Sequence, residues 1–337
     1  MRKFEDLESM RVITMILVIF AHVTRMYTPK AAINLNINNT CFCWLTEWIY
    51  TFHMPAFVLI SGAVYYFIKR DKGGYNNSKA FILSKAKRLL IPYIFFSFII
   101  VLPTLYYCSL TEGSFWLYNF KTFILAKAPR HLWYLIMLFN ILILFNYFEK
   151  YIFKYKEITL LLTLILHPFA FSFPIDIFQV PSTIYYSFYF MLGYYFQYNR
   201  NKLITYLNKT NKIYVTSALV FFSIIVYSLS HIGIIKSNIS SLICSILGIM
   251  FIYIISNMIS QKSKITNNFI YKTISMNNFG IYLFHPMIIY ILFYNIRNLN
   301  LNPYISTICI FIISTILSIL LTLFFRKIGL KTVLGEK

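Results

Sequence analysis

Long apolar stretches alternate with short polar ones along almost the whole chain. We identify ten such stretches, each close to the roughly 20 residues that a helix needs to cross a bilayer. Their predicted bounds are 10–28, 45–68, 89–108, 131–149, 157–174, 182–199, 213–230, 238–260, 278–296 and 303–325. The pattern predicts an all-α integral membrane protein, a bundle of about ten transmembrane helices in one membrane domain over residues 1–337.

Prolines interrupt the region of the fifth and sixth predicted spans. Pro168, Pro174 and Pro181 lie in this part of the chain, and proline removes a helical hydrogen bond. The sequence therefore leaves the exact bounds of the spans at 157–174 and 182–199 open.

Composition and charge agree with a membrane protein. Hydrophobic residues make up 59% of the 337 positions and charged residues only 12%, so an ordinary soluble domain is excluded. The net charge of +21 would suit nucleic acid. However, with the N-terminus placed in the cytoplasm, most Lys and Arg residues fall in segments on the cytoplasmic side. This is the positive-inside pattern for an even number of spans, and it predicts that both termini are cytoplasmic and that nucleic acid is no partner.

Cysteine usage gives no sign of a disulfide framework or a metal site. The five cysteines are scattered along the chain, and no group of them has the spacing of metal ligands. We therefore predict no metal.

The first span carries ionisable residues on one stripe. Arg11 and His22 are eleven residues apart, which on a helix leaves them about 20° apart around the axis and about 16 Å apart along it. Arg25 lies close to the same stripe, and Glu8 can pair with Arg11 across one turn. Charged groups inside a membrane usually line a functional path. The alternative is that both arginines snorkel to the two surfaces while His22 bonds a neighbouring helix.

Four other short motifs carry polar chemistry, and each has an ordinary structural explanation when taken alone. A basic run before the third span suits phosphate but also orients membrane helices. Trp and Tyr at a span end form an interfacial belt, and histidine–proline pairs occur at helix bends. The motifs are KAKRLLIPY at 85–93, FHMP at 52–55 with Glu47 before it, HLWYL at 131–135, and GIYLFHP at 280–286.

Taken together, in this order, these motifs resemble the acyltransferase 3 family. Arginine and histidine with ten residues between them in the first span, FHMPAFVLISG in the second, KRLLIPY, HLWYL and GIYLFHP cover nearly the whole chain. Within the family the chain looks most like the fucose 4-O-acetylase-like group. The resemblance implies a bacterial cell-membrane enzyme that moves acetyl groups from cytoplasmic acetyl-CoA to an extracytoplasmic carbohydrate. Many members carry an SGNH hydrolase-like domain, which we do not expect in this chain.

The resemblance also implies roles for particular residues. His22 matches the family's catalytic histidine, and Arg11 matches its first-helix arginine. The family's RxxR step corresponds to Lys85–Arg88, with Lys at the first position, which lacks the planar fork of arginine for phosphate. Arg88, Lys85 and Arg11 are thus expected to bind the phosphates of acetyl-CoA. Whether His22 acts as a general base or carries the acetyl group stays open.

Acceptor binding is expected on the outer side of the membrane. His53, Glu47, Trp133 and Tyr134 are the candidates there, because aromatic faces stack on sugar rings and polar side chains bond their hydroxyls. His285 is assigned to helix packing. The expected partners are a surface polysaccharide, exopolysaccharide or lipopolysaccharide acceptor, free or lipid-linked, together with membrane lipids and polysaccharide-assembly proteins.

Three alternatives remain open. A transporter or flippase for a lipid-linked glycan would share the polytopic form, but it would usually show sequence repeats, which we do not detect. A lipid-phosphate-dependent glycosyltransferase typically has an acidic residue in its first outer loop, and 28–43 has none. Within the family, the transferred group could instead be succinyl or another acyl chain.

Overall fold

The protein is all-helical. The computed structural model describes residues 4–35, 37–111 and 118–336, and no β-strand occurs among them. The α-helices are α1 Glu5–Thr24, α2 Thr40–Tyr66, α3 Ser78–Phe95, α4 Leu102–Tyr107, α5 Trp133–Tyr147, α6 Glu149–Lys154, α7 Lys156–Leu166, α8 Val180–Tyr198, α9 Arg200–Asn208, α10 Lys212–His231, α11 Ser237–Ser260, α12 Ser263–Thr266, α13 Phe269–Ile296 and α14 Pro303–Lys327. Short 3₁₀ or π turns occur at Arg25–Tyr27, Phe67–Asp71, Phe96–Val101, Phe120–Ile124, Arg130–Leu132, His167–Ser172 and Lys331–Leu334.

Within the described ranges, eight helical stretches are long and apolar enough to cross a membrane. They are Glu5–Tyr27, Thr40–Asp71, Ser78–Tyr107, Arg130–Tyr147, Lys212–His231, Ser237–Ser260, Phe269–Ile296 and Pro303–Lys327. Each corresponds to one of the ten predicted spans, so the prediction of an all-helical, multi-pass protein is confirmed. The count of ten and the cytoplasmic placement of both termini stay predictions.

The two remaining predicted spans form helices of a different kind. Helix α7 ends at Leu166 after 11 residues, and a 3₁₀ turn containing Pro168 follows it. Helix α8 has 19 residues, six of them tyrosines, which lower its hydropathy below that of a typical span. Proline therefore explains why the helix in 157–174 is too short to cross a membrane. Tyrosine content explains why the helix in 182–199 is less apolar than the other eight.

The internal contacts divide the chain into two compact units. The first contains the residues up to Ile60 together with Asn199–Leu321, and the second contains Ser61–Tyr198 and the residues from Thr322 onward. The prediction of one membrane domain over 1–337 is not tested by this division and stays a prediction.

In the first unit, α1 packs against α11 and α13, and α10 packs against α11. One face of α1 forms much of the core, because Met10, Met15 and Ile19 are almost completely buried. This packing places the polar stripe of α1 against neighbouring helices.

A buried ion pair anchors the start of α1. Asp6 accepts a hydrogen bond from Arg200 at 2.5 Å and another from the hydroxyl of Tyr253 at 3.0 Å. Asp6 and Arg200 are only 5% and 9% exposed. Since an unpaired charge in such a place is very unfavourable, the three groups fix α1, α9 and α11 to each other.

In the second unit, α5 packs against α3 and α8, and α7 packs against α8. The backbones of α2 and α8 approach closely at Gly62, where an added Cβ atom would lie 2.0 Å from the carbonyl oxygen of Phe190. Only glycine fits there. A second ion pair joins the half-buried Arg70 to the buried Glu149 at 2.6 Å.

Candidate active site

Three histidines of the first unit are held by their own helices in the same way. They lie on α1, α2 and α13, and the Nδ1 atom of each ring contacts the carbonyl oxygen four residues earlier. Because a carbonyl only accepts, Nδ1 donates, and the neutral ring keeps its lone pair on Nε2. The pairs are His22 with Val18 at 2.8 Å, His53 with Ile49 at 2.9 Å and His285 with Ile281 at 2.7 Å.

The three rings and that of Tyr50 form one connected cluster. The centroid of the His22 ring lies 5.1 Å from that of His285, in an edge-on contact, and 5.9 Å from that of Tyr50. Tyr50 also contacts His53, with ring centroids 4.7 Å apart. His53 and His285 are buried, whereas His22 is half-buried. His22 is thus the most accessible of the three.

A polar cavity of about 440 Å³ adjoins this cluster. Tyr50 and Arg25 belong to its wall, and the Arg25 guanidinium lies 5.1 Å from the centre of the Tyr50 ring. All of the lining side chains are polar, and most carry a hydroxyl group. They are Arg25, Thr28, Lys30, Thr46, Glu47, Tyr50, Thr51, Tyr227, Ser230, His231, Ser237, Ser240 and Ser241.

Glu47 is held in the wall of this cavity. Its carboxylate accepts hydrogen bonds from Lys30 at 2.6 Å and from the hydroxyl of Tyr227 at 3.0 Å. Of the predicted residues Glu47 and His53, Glu47 lines the cavity, whereas His53 lies further along α2 and outside the lining residues. Tyr50 connects the two regions, because it lines the cavity and contacts the rings of His22 and His53.

The comparisons with known proteins identify the family of this chain. Residues 4–326 match the family model described as an acyltransferase domain, that of the acyltransferase 3 family. The chain belongs to the acyltransferase 3 family. Comparisons with curated proteins and with solved structures found no match. Family membership supports acyltransferase activity, and with the eight apolar helices it supports a multi-pass membrane enzyme.

In this acyltransferase, Arg11 is half-buried on α1, and its backbone carbonyl accepts a hydrogen bond from the side chain of Asn278 at 3.3 Å. Glu8, which the spacing predicts as a partner of Arg11, accepts a hydrogen bond from Ser275 on α13. The start of α1 is thus tied to α13 by polar contacts. The role of Arg11 stays a prediction.

The predicted donor-binding residues Lys85 and Arg88 lie in the second unit of the acyltransferase. Lys85 is half-buried, and its ammonium donates a hydrogen bond to the hydroxyl of Tyr75 at 3.0 Å. Burial raises the pKa of Tyr75, although the positive charge of Arg88 acts against this. Tyr75 is therefore neutral at physiological pH. Arg88 is exposed, so its guanidinium is the more accessible of the two cations.

Trp133 and Tyr134 also belong to the second unit. The Trp133 ring packs on that of Tyr186 with centroids 5.1 Å apart. The hydroxyl of Tyr134 lies 3.4 Å from that of Ser61, and Tyr134 is buried. These contacts are compatible with a packing role, and acceptor binding by the two residues stays a prediction.

Sequence reasoning missed two neighbours of His22 and His53. Tyr50 was not singled out, although it lies three residues before His53 and so on the same face of α2. His285 was assigned to packing alone. The spacing within α2 carried a signal for Tyr50, whereas the contact of His285 with His22 depends on helix packing that no local spacing encodes.

Proposed function

We propose that this protein transfers an acetyl group from cytoplasmic acetyl-CoA to a hydroxyl group of an extracytoplasmic carbohydrate, across a bacterial cell membrane. The observation that carries the proposal is the position of the histidine cluster beside a cavity lined by polar residues, most of which carry a hydroxyl group. Such a wall suits a sugar, and a histidine with its Nε2 lone pair available suits proton transfer from a sugar hydroxyl.

His22 is the catalytic residue in this proposal. Its Nε2 atom takes the proton from the acceptor hydroxyl as the oxygen attacks the thioester carbonyl. The carbon–sulfur bond then breaks, and the proton passes from the imidazolium to the departing thiolate. Alternatively, Nε2 attacks the thioester carbonyl, the carbon–sulfur bond breaks, and the CoA thiolate leaves. The acceptor hydroxyl then attacks the acetyl carbon, the bond to Nε2 breaks, and the hydroxyl proton passes to the thiolate or to water. In both routes the bond from Nδ1 to the Val18 carbonyl holds the ring in the required tautomer.

The remaining predicted residues bind the two substrates. Glu47 binds acceptor hydroxyl groups from the cavity wall, and Trp133 and Tyr134 stack on or bond the acceptor. His53 is buried, so its predicted contact with the acceptor requires a change in packing that exposes its ring. Arg88, Lys85 and Arg11 supply positive charge for the phosphates of the donor. Tyr50, which contacts both His22 and His53, holds their rings in place.

The test of this function is NMR of surface glycans from a deletion strain, with and without the wild-type protein. Loss of O-acetyl signals in the deletion strain, restored by the wild type, is the expected result. O-succinyl signals in their place would identify a different acyl group. Loss of the glycan itself would instead indicate a flippase, and unchanged acylation would contradict the proposal.

Arg88→Ala should raise the KM for acetyl-CoA with little change in kcat. Because Arg88 is exposed, its contact with a phosphate is screened by water, and we expect a roughly fivefold effect. Lys87→Ala is the matched control, since Lys87 is an exposed cation next to it on α3. Steady-state kinetics in detergent would measure both variants. Equal effects of the two substitutions would show that only the general positive charge matters.

A further inference from the structure

We propose that the acceptor is anionic, a sugar carrying a carboxylate or a phosphate, and that Arg25 binds this charge in the polar cavity. This inference rests on the proposed function and specifies the acceptor for the same site. It starts from the balance of charges in the cavity wall.

The wall holds more basic than acidic side chains. Arg25, Lys30 and His231 contribute basic side chains, and Glu47 is the one acidic side chain among the lining residues. The carboxylate of Glu47 is already matched, because Lys30 lies 2.6 Å away and Tyr227 donates a second hydrogen bond. Glu47 is therefore not available as the counter-ion of Arg25.

Arg25 forms no ion pair with any carboxylate of the described ranges. Its guanidinium is half-buried and lies 5.1 Å from the centre of the Tyr50 ring. A cation–π contact stabilises such a group modestly and leaves its charge uncompensated. A half-buried arginine in a cavity wall with no acidic partner is a site for an anion.

The same wall indicates the class of molecule that carries the anion. Nine of the lining residues bear hydroxyl groups, which suit the many hydroxyl groups of a sugar. The cavity volume of about 440 Å³ lies within the usual range for small-molecule sites. A uronic acid and a sugar phosphate both combine a polyol with a negative charge, and they share the chemistry that Arg25 recognises.

Another role for Arg25 would be to stabilise negative charge that develops in the transition state beside His22. Such a role would lower kcat for charged and neutral acceptors alike and would leave their binding unchanged. Recognition of a charge on the acceptor instead changes affinity, and only for charged ligands. Binding measurements therefore separate the two roles.

The experiment compares three ligands that share one ring: methyl β-D-glucoside, methyl β-D-glucuronide and the 6-phosphate of the glucoside. Each is titrated into the purified full chain in detergent, and binding is followed by tryptophan fluorescence. Trp44 is a built-in reporter, because its ring contacts that of the lining residue Tyr227 with centroids 5.1 Å apart. We expect at least one charged ligand to bind about tenfold or more tightly than the neutral one.

Arg25→Gln should remove this preference while leaving affinity for the neutral glycoside unchanged. Arg297→Gln is the matched control, since Arg297 is also half-buried and lies 3.7 Å from the centre of the Tyr294 ring, but outside the wall of this cavity. This control should keep the preference. The charged ligand that binds more tightly to the wild type identifies carboxylate or phosphate as the recognised group.

Equal affinity of the wild type for all three ligands, or a preference that survives Arg25→Gln, would overturn the inference. An equal loss of kcat on all acceptors with unchanged affinities would also overturn it and assign Arg25 to the transition state.

Mass spectrometry of the same three ligands after incubation with acetyl-CoA tests the function separately. Acetylation of any of the three glycosides would support the function, whatever their relative affinities. Arg25-dependent binding without acetylation, in a protein that also fails the surface-glycan test, would reject the function alone.

Discussion

His22→Ala should reduce acyl transfer about 10²- to 10⁴-fold if His22 acts as a general base, and should abolish it if His22 carries the acetyl group. The reason is that His22 is the most accessible of the three clustered histidines and presents its Nε2 lone pair. The neighbouring His285 and His53 are buried and cannot replace it without a change in packing. The measurement is the rate of acetyl transfer per folded molecule, with protein amount checked by gel filtration.

His167→Ala is the matched control for this experiment. His167 lies in the second unit, and its Nδ1 atom likewise contacts a backbone carbonyl, that of Tyr185 at 3.0 Å. It has no place in the proposed chemistry, so the activity per folded molecule should be retained. Normal acetylation by His22→Ala, or equal losses in both variants, would remove His22 from the mechanism.

Asp6→Ala should lower the free energy of unfolding by about 3–5 kcal/mol, a large loss for a single substitution. Removing the carboxylate leaves the buried guanidinium of Arg200 without its partner, and it also removes the bond to Tyr253. Thermal unfolding of the detergent-solubilised protein would measure the change. Asp176→Ala is the control, because Asp176 forms a similarly short but exposed pair with Lys127, and its loss should change stability by about 1 kcal/mol or less.

A double substitution separates the loss of the ion pair from a packing defect at the same place. Replacing Asp6 and Arg200 together by leucine and methionine leaves no unpaired charge, so much of the stability should return. If the double variant is no more stable than Asp6→Ala, the loss of stability in Asp6→Ala comes from altered side-chain packing and not from an unpaired charge.

Much of the fold follows from local features of the sequence. The eight strongest apolar stretches form the eight helices long enough to cross a membrane, since the length of an apolar segment is a local property. The fifth and sixth predicted spans, 157–174 and 182–199, are not among these eight helices. A proline after Leu166 shortens α7, and tyrosines reduce the hydropathy of α8. Apolar length alone did not separate these two from the others.

The candidate site was predictable where it lies on one helix and hidden where it lies between helices. The spacing of Arg11, His22 and Arg25 is enough to predict the polar stripe of α1, because all three belong to one short segment. In contrast, the contact of His22 with His285 joins residues more than 260 positions apart and depends on how α13 packs against α1. Glu47 was predicted as a site residue because it lies close to His53 in sequence. Its ion pair with Lys30 could not be predicted in this way, because it depends on how the segment after α1 packs against α2.

The abundance of hydroxyl groups in the cavity wall has a consequence for acceptor selectivity. A serine, threonine or tyrosine hydroxyl rotates about its C–O bond and can either donate or accept a hydrogen bond. A wall built mainly from such groups can adjust when one ring hydroxyl of a sugar changes from axial to equatorial. We therefore expect weak discrimination between epimers, with glucose- and galactose-configured rings accepted at similar affinity.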